Sequence, residues 1–474
     1  MPRTKRADLQ CNNAIGAAQE RRSSGLIYLF ENIVRKWRRR FSRSEWALRR
    51  LRLSPASGPS SEPGLLLIQI DGLSRDQMER AMVRGRLPFL RSLQQRQHYE
   101  LTTFYSGLPS TTPAVQAELF YGVCCAVPAF SFLDRPTKRI ATMYKPDWVK
   151  KVEADLQKQC TGLLAGGSSW SNIYTGGAAL EESHFCAASI GPGDFLKSVS
   201  WWGLLSIILL HFPAVLRLLF LLVMEIFLAL WDVMRGVWAG ENFYQEIKFI
   251  LSRLFVGVGL RELVTIGAAV DLARGLPIVH VNFLGYDEQS HRRGPDSAFA
   301  HWSLKGIDFA IKKLYIEAQR SHRREYRVWI FSDHGQERVR SFYEEFPGGI
   351  ERVMHEALTQ APPPQGRRTR GSMRMSRADW MGDRRARRRL ERAQKEESLS
   401  VEEETLFSVT ALGPVGHVYL GQKTSVDEKL ALAKWLVNRG GVPGVLMALS
   451  PAGGLWVHSK GVWRLPEEAR EHLP

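Results

Sequence analysis

The sequence predicts an α/β fold: a mostly parallel central sheet flanked by helices, with a hydrophobic helical insertion midway along the chain. Three observations predict it. Apolar runs of strand length at residues 65–70, 277–283 and 328–331 are separated by stretches of helical period, the alternation that builds parallel sheets. Acidic residues stand at or just past the ends of these runs, namely Asp71, Asp287 and Asp333, where α/β sheets gather their ligands. Residues 199–240, opening on Trp201-Trp202, are mostly apolar over a length comparable to the roughly 20 residues a membrane span needs.

Taken in order, residues 1–24 are polar and read as disordered. From 25 to 53 the pattern turns helical. Leu26, Phe30, Ile33, Trp37 and Phe41 recur at three- and four-residue steps, and Arg35, Lys36, Arg38, Arg39, Arg40 and Arg43 fill much of the rest. Such a helix suits the headgroup region of an anionic membrane; the other reading docks it on the protein's own body with its arginines in water. A Ser/Pro/Gly-rich linker at 54–63 leads into the strand at 65–70. A helix is expected after Asp71, another over 88–95, and a strand around 100–105. Pro113 then suits the first turn of a helix running to about Tyr121. This places Thr111 at a helix N-terminus, where the dipole favours an anion.

In the insertion, His211, Pro213, Arg217 and Glu225 interrupt the apolar run. It also lies between Thr111 and Asp287, so one crossing would put these residues on opposite sides of a membrane. No crossing, or an even number, is expected: a helical hairpin in one leaflet, or a helix pair buried against the domain. Past the strand at 277–283, Leu304, Ile307, Ile311, Leu314 and Ala318 mark an amphipathic helix, followed by a strand at 327–331. Residues 361–398 are Pro- and Arg-rich with few apolar groups, a mobile loop or exposed helix. Strands at 406–412 and 417–420, a helix at 426–438 and strands near 444–449 and 454–458 close the chain. The expected organisation is a basic N-terminal arm (1–57), a catalytic domain in three parts (58–198, 243–360 and 401–474), the hydrophobic insertion (199–242) and a basic loop (361–400).

The 474 residues carry a net charge of +17, and the excess is local. Residues 1–55 hold 14 Lys/Arg against 4 Asp/Glu, and residues 361–395 hold 12 against 3, which leaves the rest close to neutral. Basic appendages on a neutral body suit acidic lipid or nucleic acid. Nucleic acid is the weaker partner, because the Arg-rich loop has Trp380 as its one interleaved aromatic residue. Five scattered cysteines form no disulfide framework, and Cys124-Cys125 reads as buried packing. No secretory signal is seen, so the expected place is the cytoplasmic side of a membrane, peripheral or hairpin-inserted. Composition leaves the oligomeric state open.

Carboxylates and imidazoles from several strand ends can hold two divalent cations about 4 Å apart, which stabilise both oxygens of an in-line displacement at phosphorus. Asp287 and His291, four residues apart, can converge on one ion; Asp333-His334 can reach a second. A threonine hydroxyl becomes a nucleophile once activated, and Thr111 has the placement, with Ser110 and Thr112 as alternative hydroxyls. His280, in mid-strand, reads as a core residue.

In Ile70-Asp71-Gly72-Leu73, Ser110-Thr111-Thr112-Pro113, residues 287–295 and Ser332-Asp333-His334-Gly335, the chain resembles the alkaline phosphatase superfamily, and most its type I phosphodiesterase/nucleotide pyrophosphatase branch. The pieces occur in the family's order. The resemblance implies an alkaline phosphatase-like fold and phosphoric ester hydrolysis through a phosphothreonine on Thr111. It assigns one metal to Asp71, Thr111, Asp333 and His334, and the other to Asp287, His291 and His417; zinc is usual, with manganese as a substitute. Two departures stand out. The nucleophile motif reads Thr-Thr-Pro-Ala, not Thr-Phe-Pro-Asn, and residues 115–135 contain no Asn for a phosphate oxygen, which leaves monoester versus diester preference open. The sulfatase branch is excluded, since Cys124-Cys125-Ala126-Val127-Pro128 lacks the Arg it needs. The alternatives are a phosphoethanolamine-type transferase on lipid-linked substrates and a non-catalytic membrane adaptor.

Overall fold

A computed structural model describes residues 43–51, 53–56, 62–97, 99–189, nine separate positions between 202 and 227, and residues 253–339, 342–346, 349–359, 407–411, 415–420, 424–450 and 453–468. The expected apolar stripe from Leu26 to Phe41, most of the insertion and the Arg-rich loop lie outside the described residues.

Helix α1 (Arg43–Leu51) is the described end of the basic arm. It docks on the body: Ala47 and Leu48 are buried, and Glu45 pairs with Arg323 and, at 3.4 Å, with His322. Strand β1 (Gly64–Ile70) leads to α2 (Arg75–Val83), α3 (Pro88–Arg96) and α4 (Thr112–Tyr121). A hairpin of β2 (Ser131–Asp134) and β3 (Arg139–Thr142) precedes α5 (Pro146–Gln157) and two short strands, β4 (Ser168–Trp170) and β5 (Ser183–His184). After the insertion come α6 (Arg261–Arg274), β6 (Ile278–Phe283), α7 (Gly285–Arg293), α8 (Ala298–Arg320) and β7 (Tyr326–Phe331).

The main sheet has the order β5-β4-β6-β1-β7, and every pairing in it is parallel. Because successive side chains of β1 point to opposite faces, Leu66, Ile68 and Ile70 share one core with α6 and α8, including Val264, Leu272, Leu304 and Ile311. Leu67 faces the other core with Phe120 of α4 and Val149 and Leu156 of α5. Helices therefore cover both faces, which explains why these strands read as continuous apolar runs. His280 lies fully buried on β6 with Phe120 edge-on at 4.9 Å, a core histidine as its mid-strand place predicts.

Two expectations need correction. Residues 100–105 form a loop with Phe104 and Tyr105 exposed; their large side chains are not buried against the body, so the alternation there lacks the packing that would hold a strand. Cys124 and Cys125 are exposed, because α4 ends at Gly122 in the left-handed conformation and the chain turns outward. The C-terminal strands do not extend the main sheet. After α9 (Phe342–Glu345) and α10 (Gly349–Thr359), β8 (Phe407–Ala411) and β9 (Gly416–Leu420) make a separate antiparallel ribbon. Beyond α11 (Val426–Asn438), strands β10 (Gly444–Ser450), β11 (Gly453–His458) and β12 (Gly461–Leu465) form a third sheet. Short connections close antiparallel pairs locally, whereas joining the parallel sheet would need crossovers.

Candidate metal centre

Register explains how distant residues meet. Gln69 of β1 lies opposite Phe331 of β7, so Asp71 and Asp333, each two residues on, emerge side by side at the carboxyl edge. Ile70 lies opposite Phe283 of β6, and the Asp71 N–H donates to the Phe283 carbonyl. The turn after β6 enters α7, whose first turn carries Asp287 with His291 one turn further on the same face.

At the centre, Asp71 and Asp333 are both fully buried. His334 Nε2 lies 3.5 Å from Asp71 Oδ1 and 3.7 Å from Asp333 Oδ2, and these three residues offer ligand atoms all within 4.8 Å of one another. The Gly72 N–H donates to Asp333 Oδ1 at 3.3 Å. Beside this group His291 Nε2 stands 3.4 Å from Asp287 Oδ2. Gly72 is required twice: its φ is +72°, and a Cβ there would fall 2.5 Å from Asp287 Oδ1. The aspartate thus packs against the backbone that follows Asp71, and the two groups adjoin.

Electrostatics unite them. Burial, then the charge of Asp71, pushes the Asp333 carboxyl up to about 7. Burial alone would lower His334, but Asp333, Asp71 and Asp287 outweigh it and raise it to about 11. Asp287 likewise raises His291. Crowded buried carboxylates that draw protons onto their histidines form a site where a cation is favoured. Carboxylate and imidazole donors suit zinc or manganese. Two orphaned atoms strengthen the fit: Asp333 Oδ2 and Thr111 Oγ1 are buried and have no hydrogen-bond partner among the described residues, and leaving such a group unmade costs about 1–3 kcal/mol.

The remaining expected residues divide. Thr111 is the N-cap of α4, but its side chain makes no capping bond. Its neighbour Thr112 is the hydroxyl already engaged, donating to Asp71 Oδ1 at 3.2 Å and lying 3.4 Å from His334 Nε2. His417, on β9, is not brought into the cluster of Asp71, Asp333 and His334; its Nε2 lies 3.1 Å from the Pro128 carbonyl.

Four supporting residues were not singled out from sequence. Asn282, buried on β6, donates from Nδ2 to Asp71 Oδ2 at 3.1 Å and fixes how that carboxylate faces the centre. Ser332 accepts from the Leu73 N–H at 2.9 Å and donates to the His334 carbonyl at 2.7 Å, tying the two ligand-bearing turns together. Gln336 donates to Asp287 Oδ1. Gln116 of α4 donates to Gln69 at 3.1 Å and Asn172 at 3.2 Å and accepts from the Ile173 N–H at 2.8 Å, which anchors the helix carrying Thr111. Two had a signal: Ser332 opens the motif Ser332-Asp333-His334-Gly335, and Asn282 is a polar residue in an apolar strand one position before Phe283.

Residues 241–451 match the family model described as type I phosphodiesterase/nucleotide pyrophosphatase, a family of the alkaline phosphatase superfamily. No curated protein and no solved structure matches the chain. The match contains Asp287, His291, Asp333, His334 and His417; Asp71 and Thr111 lie before it, Asp71 joined to it by the sheet and Thr111 by its neighbour Thr112, which donates to Asp71.

Proposed function

We propose that this chain, with its type I phosphodiesterase/nucleotide pyrophosphatase segment in the alkaline phosphatase superfamily, is a metal-dependent phosphoric ester hydrolase acting through a threonine nucleophile. The observation that carries the reading is the convergence of Asp71, Asp333 and His334 within 4.8 Å, beside the Asp287–His291 pair and the N-terminus of α4. Asp71, Asp333 and His334 would hold one divalent cation, zinc or manganese, and Asp287 and His291 a second, with His417 as a proposed further ligand. Bound there, the cations would supply Lewis acidity toward a phosphoryl oxygen and lower the pKa of the attacking hydroxyl.

The chain's own part begins with Thr111. Its Oγ1 gives up its proton and attacks phosphorus; a P–O bond to the threonine forms as the ester P–O bond breaks, and the departing oxygen takes the electron pair and picks up a proton to leave as the alcohol. Water then cleaves the phosphothreonine and restores the hydroxyl. Thr111 suits this role because its buried Oγ1 is uncommitted, whereas Thr112 is held by Asp71. The α4 dipole favours the negative phosphoryl group at the helix N-terminus, and Asn282 keeps Asp71 oriented.

The test is hydrolysis of nitrophenyl phosphate monoesters and diesters by zinc- and manganese-loaded protein. Thr111→Ala should fold normally and lose at least about a thousandfold in kcat. Thr112→Ala should keep the nucleophile and bind metal more weakly. If Thr112→Ala abolishes turnover while Thr111→Ala retains it, the nucleophile is Thr112; hydrolysis by neither the wild type nor any metal-loaded form removes the enzymatic reading.

A further inference from the structure

We propose that the apolar face formed by the described positions from Trp202 to Phe227 docks on an anionic lipid leaflet, at headgroup depth and without crossing it. All nine described positions of this segment are helical, apolar and exposed. Leu209, Phe212, Leu216, Phe220, Val223 and Phe227 recur at steps of three and four, the spacing of residues on one helix face. The aromatic members are wide open: Trp202 is 78% exposed and Phe227 66%. Soluble monomers rarely leave a contiguous apolar face of this kind in water, and such faces mark interaction sites.

Two further observations select lipid over a protein partner. The first is charge. The Lys/Arg excess of the chain sits in two segments, residues 1–55 and 361–395, and leaves the remainder near neutral. Durable peripheral binding takes an apolar face together with such a basic patch, and basic segments are drawn to the anionic cytoplasmic leaflet. A protein groove would need the apolar face but would have no use for this concentration of positive charge. The second is interruption: His211, Pro213, Arg217 and Glu225 break the apolar run, which leaves no uninterrupted stretch of the roughly 20 apolar residues a span needs. An interfacial seat tolerates charged groups in such a run, because charged side chains at a leaflet surface reach water while apolar ones enter it. Docking itself is independent of catalysis. With the proposed hydrolase activity, it would give the centre first access to phosphate esters displayed at a membrane surface.

The experiment is flotation of the full chain with vesicles of phosphatidylcholine alone and of phosphatidylcholine with phosphatidylserine. Three proteins are compared: wild type, a charged variant (Leu216→Glu, Phe220→Glu, Phe227→Glu) and a conservative variant (Leu216→Ile, Phe220→Leu, Phe227→Leu). The wild type should float with the anionic vesicles, less at high salt, and the conservative variant should follow it. The charged variant should bind at least about tenfold more weakly, with hydrolysis of a soluble nitrophenyl ester equal in all three. Absence of hydrolysis in all three would sink the enzyme and leave the docking intact. The docking is overturned if the wild type does not float, or if the charged variant floats equally well. Wild-type self-association without vesicles, abolished by the glutamates, would assign the face to a second copy instead.

Discussion

The described residues contain two clusters built alike, each of two carboxylates and a histidine with ligand atoms within 4.8 Å: Asp71, Asp333 and His334, and Glu182, His184 and Asp271. They have opposite characters. In the second, at the β5 edge of the sheet, Arg274 grips Glu182 at 2.6 and 2.7 Å and Asp271 at 3.1 Å, and Trp170 donates to Asp271 at 2.8 Å. The protein has supplied its own counter-charge. His184, against the Trp170 ring at 4.0 Å, is left neutral, with burial lowering it to about 4. In the first cluster the positive charge is that of His334, raised to about 11, while Asp333 keeps an orphaned oxygen. Closeness of ligands therefore does not distinguish a metal centre from an ion-pair network; the supply of counter-charge does.

The largest way to break this comparison is Arg274→Met. It strands buried carboxylates, and urea unfolding should show a loss of about 3–5 kcal/mol, with the response to zinc unchanged. An altered zinc response would mean that the two clusters are not independent. Next, zinc at a hundredfold excess over its Kd should stabilise the wild type by about 2.7 kcal/mol in thermal unfolding. Asp333→Asn should remove that gain and Glu182→Gln should keep it; the reverse pattern would exchange the roles of the clusters.

A smaller effect sharpens the contrast with a third histidine. His280 is fully buried between the rings of Phe120 and Phe331, and burial lowers it to about 3. A histidine held neutral in the fold contributes stability that is present above its unfolded pKa and lost as pH falls toward the folded value. Between pH 6.5 and 5 the wild type should lose about 2 kcal/mol from this group, relative to His280→Leu. Parallel pH curves for the two proteins would refute it. The two histidines thus respond to burial in opposite net directions, because only His334 has carboxylates around it.

Much of the main sheet was legible beforehand because its strands are short apolar runs with little ambiguity of period. β1, β6 and β7, and the helices starting near Thr112 and Ala298, fall within a few residues of expectation. β4 and β5 were not legible. Ser168–Trp170 and Ser183–His184 carry polar residues and are too short for a pattern to register; they become strands because β6 offers β4 a template and β4 offers one to β5. The supporting roles of Ser332, Gln336 and Gln116 were hidden for a related reason. Ser332 meets Leu73, Gln116 meets Gln69 and Gln336 meets Asp287 across separations of 259, 47 and 49 residues, and no local spacing encodes such meetings.

The sequence by itself determined the kinds of ligand, their order, the parallel core that holds them, and the segregation of charge into appendages. Those are local properties of apolar period and residue type. Only the tertiary structure decided that Asp71 and Asp333 come out beside one another, that Thr112 is engaged while Thr111 is left uncommitted, and that the ribbon carrying His417 lies outside the main sheet. These depend on strand register and on which residue fills each gap, and a one-residue slip in register would reverse the faces and scatter the same ligands.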